Sequence, residues 1–370
     1  MAIAGTNITL DSTEGMDKIS QTEKVTSPYF SNSSTTLAAT NIVSSSLTDT
    51  NETYFFGISN NATPTVEEFN VAFGSENGFG SDDDANVIKA PTDAIYKQYS
   101  NMLLPINEVT GGFFISSTGN VPATTNKDTE IFILSARRSN MKDRLNKGTF
   151  TIILSGSNST NNAGRFLVLT DDSLTKSPTA TPMGDRYNIV SGSAGVVNKH
   201  INETGGKCFG HFYPSAGILV FSQAELSASI PGKHANKNDV TTFAQSTGHT
   251  MNGFGTGEGV DANKKFGLRF INCLRTNGAK LTFRDEEDQV SAQYFCRVRS
   301  GEANFSNNPT FVSGSLNELR QSTMRDNPTT FISQVQLYNA DGDMVAVGSL
   351  SKPLKKNFSS EATIKVKLTY

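Results

Sequence analysis

Cys208 and His211 stand three residues apart in GKCFGHFYPSAGILVFS (206–222), where a thiolate and an imidazole could meet at a metal ion. Zinc sites use such donors, but as close pairs that recur along the chain. No second pair follows: Cys273 and Cys296 lie far downstream, and His200, His234 and His249 are scattered singly. The cysteines therefore read as buried, reduced thiols, and no metal is expected. Nucleophilic catalysis has no better footing, because there is no G-x-S-x-G elbow and GSAGVV (192–197) lacks the second flanking glycine. The run NGFGTGEGVD (252–261) has polar loop on both sides, whereas a dinucleotide cradle needs a strand before and a helix after. TGGKC (204–208) places Cys where a P-loop needs a hydroxyl.

The acidic stretches offer little more. RDEEDQ (284–289) reads as the solvated tip of a hairpin. SDDDAN (81–86) presents several carboxylates to Ca²⁺ but lacks the alternating oxygen ligands closed by a Glu. Glycoside hydrolysis needs a paired acid and nucleophile, and spacing nominates none. No catalytic, cofactor-binding or metal-binding residue is nominated, and the chain is not read as an enzyme. The basic piece SKPLKKNF (351–358) holds Lys352, Lys355 and Lys356; such charges commonly guard a sheet edge, and they also suit an acidic partner.

The elements that would position any of these groups are mostly strands. Ser, Thr and Asn make up roughly a third of the 370 residues, Phe is abundant at 24, and Trp is absent. Small hydroxyl and amide side chains favour turns and exposed strands over helix interiors, and Phe suits a half-buried pleat. The net charge of −3 exerts no strong pull on nucleic acid or an anionic membrane. No apolar run is long enough to span a bilayer, and MAIAGTNITLDSTEG carries no secretion signal. The cysteine count fits a chain folded in a reducing cytosol.

Three regions are expected. Residues 1–50, including SNSSTTLAATNIVSSSLTDT, hold few large apolar groups and read as an extended or disordered arm. Residues 51–200 read as a β-rich domain with one helix near 92–104, where Ile95, Tyr99, Met102 and Leu103 recur at helical spacing between Pro91 and Pro105. Its strands are TYFFGIS (53–59), GGFFISS (111–117), TEIFILSAR (129–137), GTFTIILSG (148–156) and GRFLVLTDD (164–172). Residues 201–370 read as a second β-rich domain with a long polar loop at 231–265. There KFGLRFINCLRT (265–276), AKLTFRDEE (279–287) and AQYFCRVRS (292–300) read as consecutive strands. SLNELRQSTMRD (315–326) reads as a helix opened by a Ser315/Glu318 capping box. Asp341–Gly342 signals a type I′ hairpin turn. EATIKVKLTY (361–370) alternates Ile364, Val366, Leu368 and Tyr370 against Lys365 and Lys367, one face dry and one wet. The fold class is mainly β (α+β): antiparallel β-sandwich or barrel-like domains with a few short helices and that N-terminal arm.

The C-terminus carries a resemblance. NFSNNPTFVSGS (304–315) and NPTTFISQVQLYNADGDMVAVGSLSKPLKKNFSSEATIKVKLTY (327–370) resemble the ending of virion structural proteins of large contractile-tailed bacteriophages. SARRSNMKDRLNKGTFTIILSG (135–156) also resembles that class, and TYFFGIS is more weakly similar to the opening of baseplate-wedge subunits. The resemblance implies a non-enzymatic baseplate or tail component, residing in the virion and assembled in the bacterial cytoplasm. Its partners would be other virion proteins and copies of itself; the basic piece and the two-faced final strand nominate Lys352, Lys355, Lys356, Phe358, Ile364, Val366, Leu368 and Tyr370 as assembly contacts. Two other readings stand beside it: a neck or capsid-associated structural protein, and an adhesin that binds host surface glycan through the 231–265 loop, whose only aromatic residues are Phe243 and Phe254.

Overall fold

The structure, a computed structural model, describes residues 8–11, 13, 15–44, 54–60, 65–78, 91–115, 127–157, 164–201, 203–227, 267, 270, 271, 273, 274, 278–304, 309–313, 315 and 318–370. It is mainly antiparallel β. The chain divides into two compact units, Val25–Glu287 and a smaller one of Met1–Lys24 with Asp288–Tyr370.

The larger unit is built on one sheet of thirteen strands. Eleven of them follow in spatial order Thr36–Ala38, Lys280–Thr282, Thr151–Ser157, Gly164–Asp171, Gly184–Ser193, Cys208–Tyr213, Ile218–Ser222, Glu130–Ala136, Glu67–Ser75, Phe55–Ser59 and Val43–Ser44. The two end strands, Thr36–Ala38 and Val43–Ser44, are separated in sequence only by residues 39–42. Such a link reaches about 18 Å at most. A flat sheet of this many strands would set its ends about 48 Å apart. The sheet must therefore curl until its ends approach each other.

Curling gives the sheet an inside and an outside, and strand alternation supplies both. Phe132 and Leu134 join the interior cluster with Leu37, Ile42, Phe69, Phe212, Leu219 and Phe221. Their neighbours Ile131 and Ile133 join an outer cluster with Ile95, Tyr96, Leu103 and Val220. Both faces of these strands are dry, which is why they hold the unbroken apolar runs IFIL and ILVF. The helix Pro91–Leu103 covers the outer face, close to its expected bounds, with Tyr96 more deeply buried than Tyr99. The Tyr96 hydroxyl donates to the Asp128 carbonyl (2.8 Å) and accepts from the Phe113 amide (3.0 Å).

Several expectations are corrected. Gly267, Phe270, Ile271, Cys273 and Leu274, expected in a strand, are helical, and the last four are fully buried in the interior cluster. Their spacing is that of one helical face, with Phe270 stacked on Phe132 at 5.2 Å. Where an arm was expected, Lys18–Pro28 forms a strand, and Tyr29, Phe30, Leu37 and Ile42 enter the core. RDEEDQ is no hairpin tip: Arg284–Val298 is one strand of fifteen residues running straight through it. Asp285 and Glu286 are buried there, with Arg144 and Asn146 donating to the Glu286 carboxylate at 2.8 and 2.5 Å. The expected 315–326 helix is replaced by a short strand, Glu318–Leu319, and a 3-10 turn at Ser322–Met324. A capping box without a packed apolar face does not sustain a helix. The 81–86 acidic patch and the 231–265 loop lie outside the described residues.

In the smaller unit, Ala362–Thr369 pairs antiparallel with Arg284–Val298, and Lys18–Pro28 lies along that strand's other edge. Thr330–Tyr338 and Met344–Lys356 form a separate two-stranded hairpin. Its turn is not type I′: Gly342 takes a positive φ (+88°) while Asp341 does not, and the Asn339 amide donates to the Asp343 carbonyl at 3.0 Å.

Candidate functional site

The hairpin is the feature that the rest of the fold does not explain. From Phe331 to Lys355 no residue is buried. Large apolar side chains point into solvent: Phe331 (64 % exposed), Tyr338, Met344, Val345, Val347 and Leu354. A two-stranded hairpin is at best marginal in water unless something covers one face.

Its root, by contrast, is fixed. Thr330 and Lys356 pair across the ladder, and both reach the 300–304 turn. The Thr330 hydroxyl donates to the Ala303 carbonyl. Lys356 is fully buried, and its ammonium donates at 2.9 Å to the Ser300 carbonyl, Asn304 Oδ1 and the Asn357 carbonyl. Three donors meet three acceptors, so the charge is hydrogen-bonded although no carboxylate faces it in these contacts.

The eight expected contact residues therefore separate. Lys352, Lys355, Phe358 and Tyr370 are exposed. Ile364 is buried, with Val366 and Leu368 half-buried; the three stand opposite Cys296, Tyr294 and Ala292 as one face of the smaller unit's sheet. Lys356 is a root residue and is withdrawn from any contact surface. Sequence reasoning could not separate it from Lys352 and Lys355, because two of its three acceptors, on Ser300 and Asn304, lie more than fifty residues away.

Buried polar groups elsewhere hold the scaffold. Glu68 accepts from the Ser31 amide (3.1 Å) and hydroxyl (2.6 Å), Asn60 Nδ2 (2.8 Å) and Asn140 Nδ2 (2.7 Å). Asp171 accepts from the Gly148 amide, and Asp172 from the amide and side chain of Asn188. Burial raises Asp128 to about 6, even though Ser222 and the Ile115 amide donate to it. Burial also raises Asp285 to about 7, with Oδ1 lacking a hydrogen-bond partner among the described residues.

Cys208 and His211 lie in one strand, both buried. Burial pushes the Cys208 thiol up to about 12, and it donates to the Gly210 carbonyl at 3.3 Å. Burial, aided by Arg186, holds the His211 imidazole well below its ordinary value. Among the described residues no three His, Cys, Asp or Glu side chains converge as a metal-holding group. His234, His249, Phe243 and Phe254 lie outside the described residues.

No family model, no curated protein and no solved structure matches this chain.

Proposed function

We propose that the chain is a non-enzymatic structural subunit of a tailed bacteriophage virion, in the tail or baseplate, working through contacts with other virion proteins and its own copies. The observation that carries this reading is the hairpin. It spans residues 331 to 355 without a single buried residue, yet its root is pinned by Lys356 and Thr330. A rigidly rooted element with solvent-facing apolar side chains on both strands is what a partner surface completes. The same stretch bears the resemblance to phage virion proteins. In a particle with many copies, weak contacts of this kind gain by multivalency.

Cross-linking mass spectrometry on purified particles tests the proposal. Cross-links from Lys352 and Lys355 to other virion proteins or to a second copy are expected. Absence of the chain from purified particles would overturn it. Deleting residues 1–45 is no clean test of assembly, because it removes Tyr29, Phe30 and Leu37 from the core.

A further inference from the structure

We infer that the free edge of Thr330–Tyr338 pairs antiparallel with the same edge of a second copy, joining two hairpins into a four-stranded sheet. The inference deepens the assembly reading above by naming the strand and the partner.

The two edges of the hairpin are guarded differently. Among the described residues, Thr330–Tyr338 pairs only with Met344–Lys356, so each strand has one open side. Met344–Lys356 carries Pro353, which has no amide hydrogen to donate and lies where the register shifts opposite Ile332 and Gln334, with Lys352 and Lys355 close by in sequence. Prolines and lysines are the usual protection of an edge against strand pairing. Thr330–Tyr338 reads TFISQVQLY, with no charge, no proline and no glycine over nine residues. The unit's other long strands with open sides differ: Lys18–Pro28 carries Lys18, Glu23 and Lys24, and Ala362–Thr369 carries Lys365 and Lys367. One edge is protected and the other is not.

The strand is complementary to itself. An uncharged strand can oppose itself without setting like charges together, which would weaken a cross-strand pair. At full overlap about a two-fold axis, Thr330 faces Tyr338 of the second copy, Phe331 faces Leu337, and Gln334 faces Gln334. Every opposed pair is apolar or neutral, and matching residues keep the same face of the pleat. Because the opposite edge is guarded, pairing stops at two copies, where two open edges would propagate into a fibre.

A nine-residue strand is about 30 Å long. Backbone pairing along it covers less than the roughly 1,200 Å² at which stable interfaces begin. The dimer is therefore weak and concentration-dependent in solution, and it strengthens where copies are held close together.

Gln334 provides the test. It is exposed, lies opposite Ser349 within its own hairpin, and sits at the centre of the strand. Sedimentation velocity on the full chain, over a wide concentration range, should show a monomer–dimer equilibrium. Gln334→Glu and Gln334→Lys should each weaken it about fivefold through the opposed like charges. An equimolar mixture of the two should associate at least as well as wild type, with circular dichroism unchanged throughout. A wild-type chain that stays monomeric at its highest soluble concentration would overturn the inference. So would charge variants that dimerise as wild type does, or a mixture no better than either variant. A monomeric chain whose 330–338 strand cross-links to a different virion protein would overturn the second-copy assignment and leave the proposed function standing. Dimerisation by a chain absent from particles would do the reverse.

Discussion

Replacing Lys356 by Met tests whether the hairpin is held from its root. The ammonium is fully buried and makes three hydrogen bonds of 2.9 Å. Hydrogen bonds from a charged donor contribute about 1.5–3 kcal/mol each, so the set accounts for at least about 4–5 kcal/mol. Methionine matches the length of the stem, so little cavity is left. It also removes the cost of burying an ammonium, which is several kcal/mol and opposes the loss. Two orphaned carbonyls keep partners, Ser300 through Asn304 Nδ2 (2.6 Å) and Asn357 through the Ser360 hydroxyl (3.2 Å). Asn304 Oδ1 loses the donor it has here. The balance is a destabilisation of about 2 kcal/mol. It should be local: amide hydrogen exchange should quicken through residues 330–356 while Glu130–Ala136 and Ile218–Ser222 keep their protection. Lys355→Met, at an exposed neighbour, should change stability by less than about 0.5 kcal/mol. Unchanged exchange in the hairpin of Lys356→Met, with unchanged urea midpoint, would refute the root argument.

Other outcomes follow from the larger unit. Asp285 has its carboxyl raised to about 7 by burial, so its stabilising contribution is present below its unfolded value near 3.9 and is lost as pH rises through about 7. Asp285→Asn should therefore gain on wild type by on the order of 2–4 kcal/mol between pH 4 and pH 8, read from urea unfolding at each pH; a pH-independent difference would contradict this. Gly210→Ala would place a Cβ inside contact distance of the Val220 carbonyl in the paired strand, so the variant should lose soluble folded protein. Recovery of wild-type yield and melting temperature would show that the strand can shift. Phe270→Ala removes a ring stacked on Phe132 and packed 5.4 Å from Phe221, and should cost about 3–5 kcal/mol in denaturant unfolding. A loss below 1 kcal/mol would place that helix outside the core.

Much of the sheet was legible because strand alternation is local. Glu130–Ala136, Thr151–Ser157, Gly164–Asp171 and the Cys208–Ser222 hairpin fall where apolar runs meet turn residues. The helix Pro91–Leu103 was legible from its spacing and its flanking prolines. Phe270, Ile271, Cys273 and Leu274 are helical where a strand was expected, because a short apolar run suits a buried strand equally well. Gly184–Ser193 went unread, its polar residues Asn188 and Arg186 masking a strand that is buried through most of its length.

Sequence by itself determined the β-rich class, the positions of many strands, a hairpin turning at Asp341–Gly342 and the two-faced final strand, since each depends on neighbours within a few residues. Tertiary structure alone decided that the sheet curls, that Tyr29 and Phe30 leave a polar stretch to enter its interior, and that RDEEDQ runs straight through a strand. It also decided that Lys356 is buried while Lys352 and Lys355 are not. The physical reason is the same in each case. Whether a charge or a ring is buried depends on acceptors and packing surfaces that distant parts of the chain supply, and local periodicity carries no record of them.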